Sequence, residues 1–352
     1  AQLGPRLEMY ARPRVRGGRF FRLHTNEAST GASLTVAEGV EGEERLLLDS
    51  TSLGDDPERP TNILFLEPSP DGSRVAVGLS VAGQPVGDWR VVDVATGRLL
   101  EERAPDIHLM NCAQPGWLPD ASGFWVNDRT AEGTHRIRFV PLNGTAERPE
   151  RVFSVDEISP VVPGLSVQVS PGGRHAVTVT EPHQRCTIHL LDVTSGEWRR
   201  FLPEGFDGEC HGEWLDDDTY AAVTTHDTDR GRVVAIPVAS SADPTTWREL
   251  VPEAEAVIRA VTVIHGRVVT AEMVDVSLRV RVFDPSGSPV SEVPLEPFGM
   301  SHLILVPRRI EATEELVFPY ASFVQRTSWL YYDLETGRLS TVGPPGEKLD
   351  GI

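Results

Sequence analysis

Ser69-Pro70-Asp71-Gly72, the run Arg74–Leu79 and Asp93-Val94-Ala95-Thr96-Gly97 together spell a hairpin unit, and both of its turns recur along the chain. The first turn returns as Pro119-Asp120-Ala121-Ser122-Gly123 and Ser170-Pro171-Gly172-Gly173, each followed by another strand-like run, Phe124–Asn127 and His175–Val179. The second returns as Asp192-Val193-Thr194-Ser195-Gly196 and Asp333-Leu334-Glu335-Thr336-Gly337, and more loosely as Asp284-Pro285-Ser286-Gly287. The strict copies of the second turn start 99 and 141 residues apart, near two and three multiples of 47 to 50. Asp or Ser at the head of such a turn bonds its own backbone, and Gly supplies the positive φ that closes it. Between the turns Val, Ile, Leu, Thr, Phe and Tyr alternate with polar residues, the period of half-buried strands. The one helix-like stretch is a short turn near Glu253–Val257.

Hairpin pairs at this spacing divide the chain into seven units, 9–50, 61–104, 106–154, 161–202, 207–251, 256–295 and 300–343, within a single domain spanning 1–352. Each unit holds four short antiparallel strands. Four-stranded units repeated at this length predict an all-β, seven-bladed β-propeller, in which radial repetition buries both faces of every sheet. Two successive β-sandwiches are the competing architecture, but they do not require one turn chemistry at one spacing. The first unit owns all four of its strands, Met9–Val15, Arg19–Leu23, Ser33–Ala37 and Arg45–Leu48, and the last ends with its own strand near Leu339–Val342. The ring is therefore expected to close without strand exchange.

Composition narrows the function classes. Of 352 residues, 33 are Lys or Arg and 52 Asp or Glu, a net charge of −19 that repels phosphate backbones and anionic lipid, so neither nucleic acid nor a membrane is an expected partner. The longest apolar runs, such as Ile63-Leu64-Phe65-Leu66, are far too short to span a bilayer. No apolar segment near the N-terminus reads as a signal peptide. Three cysteines, Cys112, Cys186 and Cys210, without metal-site spacing fit a reduced, cytoplasmic protein lacking a disulfide framework.

Several stretches resemble the propeller of the prolyl oligopeptidase family. Thr224-Thr225-His226-Asp227-Thr228-Asp229-Arg230-Gly231-Arg232-Val233-Val234 is similar to that family's blade-five hairpin, and Trp247-Arg248-Glu249-Leu250-Val251-Pro252-Glu253 follows where the family carries a like segment. Trp117-Leu118-Pro119-Asp120 with Gly123-Phe124 resembles its blade-three turn, and Arg16-Gly17-Gly18-Arg19-Phe20-Phe21 and Ser322-Phe323 fit its first and last blades. The resemblance implies a seven-bladed propeller closed without strand exchange, in agreement with the count of units. The family also carries a helical N-terminal extension and, after the propeller, an α/β-hydrolase domain; this sequence shows neither before it stops at Ile352. It contains no Gly-x-Ser-x-Gly, the strained turn that exposes a nucleophilic serine. The nearest approach, Gly299-Met300-Ser301-His302, has Leu303 where the second glycine belongs. Serine peptidase activity is not expected.

The first strand of each blade would border a central funnel, the usual ligand site of such a ring. Those strands are read as Met9–Val15, Asn62–Glu67, His108–Gln114, Leu165–Val169, Glu209–Trp214, Ile258–Val263 and Ser301–Leu305. Their polar residues Tyr10, Arg12, Arg14, Asn62, His108, Asn111, Cys112, Gln168, Glu213 and Arg259 are candidate ligand contacts, Arg12 and Arg14 suiting a carboxylate or carbonyl-rich molecule. Glu209-Cys210-His211-Gly212-Glu213 is the densest group: in a strand, residues 209, 211 and 213 share a face, and two carboxylates beside an imidazole suit acid–base work. Glu209, His211 and His302 are the candidate catalytic groups. The competing reading is a hydrogen-bonded polar lining, and opposite parity would turn Cys210 toward the funnel instead. His108, His211 and His302 lack short-range ligand spacing, so no metal is expected, and no glycine loop suggests another cofactor. The expected function is binding of a small organic or peptide-like ligand, with non-hydrolytic biosynthetic catalysis of the cyclase, isomerase or lyase type as its enzymatic form. The Asp-, Arg- and Pro-rich composition reads as bacterial. The alternative is a non-catalytic interaction scaffold, self-associating or bound to a separately encoded hydrolase subunit over the face that a hydrolase domain would cover.

Overall fold

A computed structural model describes residues 13–25, 31–54, 56, 58–109, 114–159, 162, 164–181, 186–301, 314–322 and 325–342. They form seven four-stranded antiparallel sheets, each made of four strands consecutive in sequence. The sheets span 14–49, 61–108, 116–152, 164–200, 210–251, 257–292 and 299–342. Seven such sheets in succession are the blades of a β-propeller. The first and the last sheet each own four strands, so among the described residues neither borrows one from the other end of the chain.

The turns work as their residues dictate. Asp93 accepts bonds from Thr96 N (2.8 Å) and Oγ1 (2.7 Å). Asp192 accepts from the amides of Thr194 and Ser195 at 3.0 and 2.8 Å, and Asp333 from those of Glu335 and Thr336 at 2.8 and 3.0 Å. Gly97, Gly196 and Gly337 close these turns at φ of 70, 76 and 70°. In the third sheet the left-handed position falls on Ala121, with φ 55°, a residue whose Cβ makes that conformation costly.

The chain divides into two compact units, residues 1–167 and 168–352, the division falling inside the strand Gly164–Val169. In the first unit, Phe21, Leu34 and Val36 of sheet one bury against Val75, Val77 and Val92 of sheet two. The opposite face of sheet two, with Ala76, Trp89 and Val91, buries against Trp117, Phe124 and Val126 of sheet three. In the second unit one apolar cluster joins sheets four and five, another five and six, and a third six and seven. A side-chain period of two thus serves two cores, because successive residues on a strand face different neighbours.

Polar links repeat at the blade period. The Trp117 indole donates to the Glu67 carbonyl at 3.0 Å, and the Trp214 indole to the Gln168 carbonyl at 3.0 Å, 50 and 46 residues away. Two sheets also carry a buried carboxylate clamped by an Arg-x-Arg pair on the next strand. Asp128 accepts from Arg136 (2.8 Å) and lies 2.7 Å from Arg138. Glu272, wholly buried, accepts from Thr270 (2.7 Å), Arg279 (2.6 and 2.9 Å) and Arg281 (2.8 Å).

Two sequence expectations need correction. Residues 253–256 form no helix, and the described residues contain no α-helix, only 3-10 turns such as Ser50–Ser52, Val238–Ser240 and Pro244–Thr246. His108 does not open blade three. It ends the last strand of sheet two, Leu99–His108, opposite Val86. This ten-residue strand continues through Pro105 by a register shift between Ala104 and Ile107 and an Asp106 at φ 58°. The first strand of sheet three is Gly116–Trp117.

Candidate functional site

The acidic and histidine cluster lies on the first strand of sheet five, Cys210–Trp214. Its register settles which way each side chain turns. His211 stands opposite Val223 and Glu213 opposite Ala221, both members of the cluster shared with sheet six. Gly212 and Trp214 stand opposite Ala222 and Tyr220, which belong, with Cys210 itself, to the cluster shared with sheet four. His211 and Glu213 therefore face sheet six and are buried, at 4 and 7% exposure. Cys210 faces sheet four. Gly212 is required here, since a Cβ would come within 1.8 Å of the Ala221 carbonyl.

Glu209, one residue before the strand, is half-buried. Its backbone is held on both sides: its amide donates to Thr225 Oγ1 (2.8 Å), and its carbonyl accepts from Thr224 Oγ1 (2.8 Å) and Thr225 N (3.0 Å). Beside it a cleft of about 40 Å³, room for a water or a single functional group, opens between sheets five and six. Glu209, Thr224, Thr225, Asp229, Arg230 and Arg259 supply its polar walls. Arg259 reaches it through a β-bulge: the register of sheet six shifts between Ile258 and Ala260, leaving Arg259 as the extra residue, the kind of irregularity that re-aims a side chain. Its Nε is buried and has no hydrogen-bond partner among the described residues. The hairpin carrying Asp229 and Arg230 is pinned by Glu253, whose carboxylate accepts from their amides at 2.9 and 2.6 Å. A carboxylate and a guanidinium with an unused donor can hold one polar group of a ligand at fixed orientation.

The remaining candidates are placed elsewhere. Gln168 is buried on the other side of sheet five, where its Oε1 accepts from Tyr220 OH at 2.8 Å. It is thus not brought together with His211 and Glu213. In the first unit, Arg14 lies 3.9 Å from Glu67, both nearly buried, and Asn62 is half-buried on Thr61–Pro68. His108 belongs to sheet two, as above. Tyr10, Arg12, Asn111, Cys112 and His302 lie outside the described residues. Asp229, Arg230 and Glu253 escape sequence reasoning. The signal for them is the Thr224–Glu253 resemblance itself, which marks the hairpin but not what its side chains face.

A family profile described as the prolyl oligopeptidase N-terminal β-propeller domain matches residues 6–344. The chain belongs to this family. Among solved structures, the propeller is similar to a prolyl endopeptidase studied for inter-domain dynamics in catalysis and specificity, at 22% identity and TM-score 0.75, covering 95% of this chain and 49% of that one. It is likewise similar to prolyl oligopeptidase B from Galerina marginata bound to a 35mer hydrolysis and macrocyclization substrate, at 13% identity and TM-score 0.74, covering 97% and 51%. The apo form of that enzyme gives TM-score 0.72 at 13% identity, with coverage of 97% and 51%. At these identities the likeness concerns the fold. The chain spans about half the length of the solved proteins it matches. No curated protein matches it. No helix among the described residues is long and apolar enough to cross a membrane.

Proposed function

We propose that this propeller is a ligand-selecting domain for peptide-like or small organic molecules, and that the Glu209–Arg259 cleft takes a polar group of the ligand. The unused, buried Nε of Arg259 carries the reading: a guanidinium donor held out of water without a partner is costly unless a ligand acceptor completes it. Arg259 would donate to a carboxylate or peptide carbonyl, and Glu209 would accept from an amide or ammonium. The burial of His211 and Glu213 between sheets favours binding over acid–base turnover at this site, since a general acid must reach the reacting atom. Cyclase, isomerase or lyase chemistry is the enzymatic version of the same proposal, with Glu209 as the group nearest the cleft.

The test is calorimetric titration with short proline-containing peptides, free and amidated at the C-terminus. Arg259→Gln and Glu209→Gln should each weaken binding by roughly 10- to 100-fold, the loss of a charge-assisted hydrogen bond. Melting temperature should barely move, because both groups border the cleft rather than a core. Unchanged affinity in both variants removes the cleft from function.

A second reading rests on length: the similar prolyl oligopeptidases are about twice as long. On that reading the propeller works beside a peptidase half, in the same polypeptide or another, and admits peptides to it. Co-purification of a serine hydrolase from the native host supports this reading, and a monomeric protein that turns over substrate alone rejects it.

A further inference from the structure

Cys186 stands directly before the strand Thr187–Asp192 of sheet four, and Cys210 opens the first strand of sheet five. The two residues face each other across an isolated parallel β-bridge that joins the sheets. Backbones paired in this way run about 4.8 Å apart, inside the Cα separation of roughly 4.4–6.8 Å that a disulfide spans. The side chains share one environment: Cys186 packs against the apolar cluster that contains Cys210. Both are thiols. The Cys186 backbone is fixed by reciprocal bonds with Thr180, its amide donating to Oγ1 at 2.9 Å and its carbonyl accepting from Thr180 N at 3.0 Å. Its Sγ donates to the Gly208 carbonyl at 3.3 Å, which keeps it beside the strand that bears Cys210. Cys186 is partly open to solvent, whereas Cys210 is wholly buried.

We propose that Cys186 and Cys210 are a redox modification site, converted to an intramolecular disulfide by exchange with a low-molecular-weight disulfide of the glutathione class. The order follows from exposure. The Cys186 thiolate attacks one sulfur of the reagent, forming a mixed disulfide and releasing one reagent thiolate. Cys210, deprotonated, then attacks the Cys186 sulfur and expels the second reagent thiol. The two protein thiols lose two electrons and two protons, and the reagent disulfide gains them as two thiols. Burial raises the pKa of both thiols. Exchange is accordingly slow near neutrality and accelerates with pH, since only thiolates attack.

The folded protein is incubated anaerobically with oxidised glutathione at mildly alkaline pH, then unfolded, alkylated and mapped by mass spectrometry. The expected product is a 186–210 cross-linked peptide pair lighter by two hydrogens, with Cys112 alkylated and dithiothreitol restoring both thiols. Cys186→Ser should prevent both the cross-link and glutathione capture, and Cys112→Ser should leave the cross-link intact. A reduced-state melt of each variant checks that it folds. The proposal fails if wild-type protein stops at a glutathione adduct on Cys186 while Cys210 remains alkylatable. It fails equally if the cross-link recruits Cys112 instead.

Discussion

At the residue scale, the polar groups of this protein sort into those satisfied by the fold and those left over. Glu272 is the clearest of the first kind, a buried carboxylate answered by two arginines and a threonine hydroxyl. Glu272→Ala strands both guanidiniums and should cost about 3–5 kcal/mol of unfolding free energy, read from urea denaturation. Arg259 is of the second kind, which is why its replacement should affect binding before stability. The candidate cleft was legible here only in part. Glu209, His211 and Arg259 stand out in the sequence as polar residues on first strands, and Glu209 and Arg259 do meet at one cleft. The direction of His211 and Glu213 was not legible, because a strand between two cores has no dry and wet face to fix its parity. That direction is set by register, and register is altered by bulges such as the one at Arg259, which leave no local mark in the sequence.

At the element scale, the hairpin turns explain why the blades could be counted beforehand. Asp and Gly act within four or five residues, so their message survives without tertiary context. His108 falls outside that message, because tertiary pairing carries the strand Leu99–His108 past Pro105 with a bulge. Ala121 is a place where the local message is imperfect: Ala121→Gly should raise stability by about 0.5–1 kcal/mol by relieving a left-handed alanine. Its carbonyl, which accepts from Arg74 at 2.7 Å, is kept in that variant. The turn aspartates also set the acid limit. Hydrogen bonds from Thr96, Ser122, Ser195, Ser286 and Thr336 hold the carboxyls of Asp93, Asp120, Asp192, Asp284 and Asp333 below the usual range. At Asp71 burial pushes upward, but bonds from Ser69 and Ser73 outweigh it. A carboxyl lowered in the folded state contributes stability that is complete above its unfolded pKa, about 3.9, and is lost as pH falls through the folded value. The urea midpoint should therefore hold from neutrality to about pH 5 as far as these groups are concerned, then fall steeply. Replacing Asp93, Asp192 and Asp333 together with Asn should flatten that fall. His135 adds an earlier, shallower slope. Burial, helped by the Arg129 charge, lowers its pKa. Stability tied to it is present above its unfolded pKa near 6.5 and declines below that.

At the scale of the whole molecule, charge is the property that no single blade expresses. A net charge of −19 means that like charges repel across the folded surface. Raising ionic strength from about 10 to about 150 mM shortens the screening length from roughly 30 to 8 Å and should raise the melting temperature by several degrees. A melting temperature that falls with salt would show that attractive pairs outweigh the repulsion. Fold class was readable at this scale because repetition multiplies a weak signal: one Asp-to-Gly turn proves little, whereas copies at a fixed spacing admit few architectures. The cleft between sheets five and six was not readable as a unit, because the residues that line it come from separate sheets and carry no shared spacing.

Each sheet is assembled from strands that are neighbours in sequence, so within a sheet no strand pairing waits for a distant stretch of chain. Such pairings close short loops, the kind that form fast and early. During synthesis a blade can acquire its full set of backbone partners soon after its last strand leaves the ribosome, while later blades do not yet exist. What must be deferred is only the burial of its exposed faces, and a chaperone attending this protein would meet finished sheets with uncovered flanks rather than loose strands.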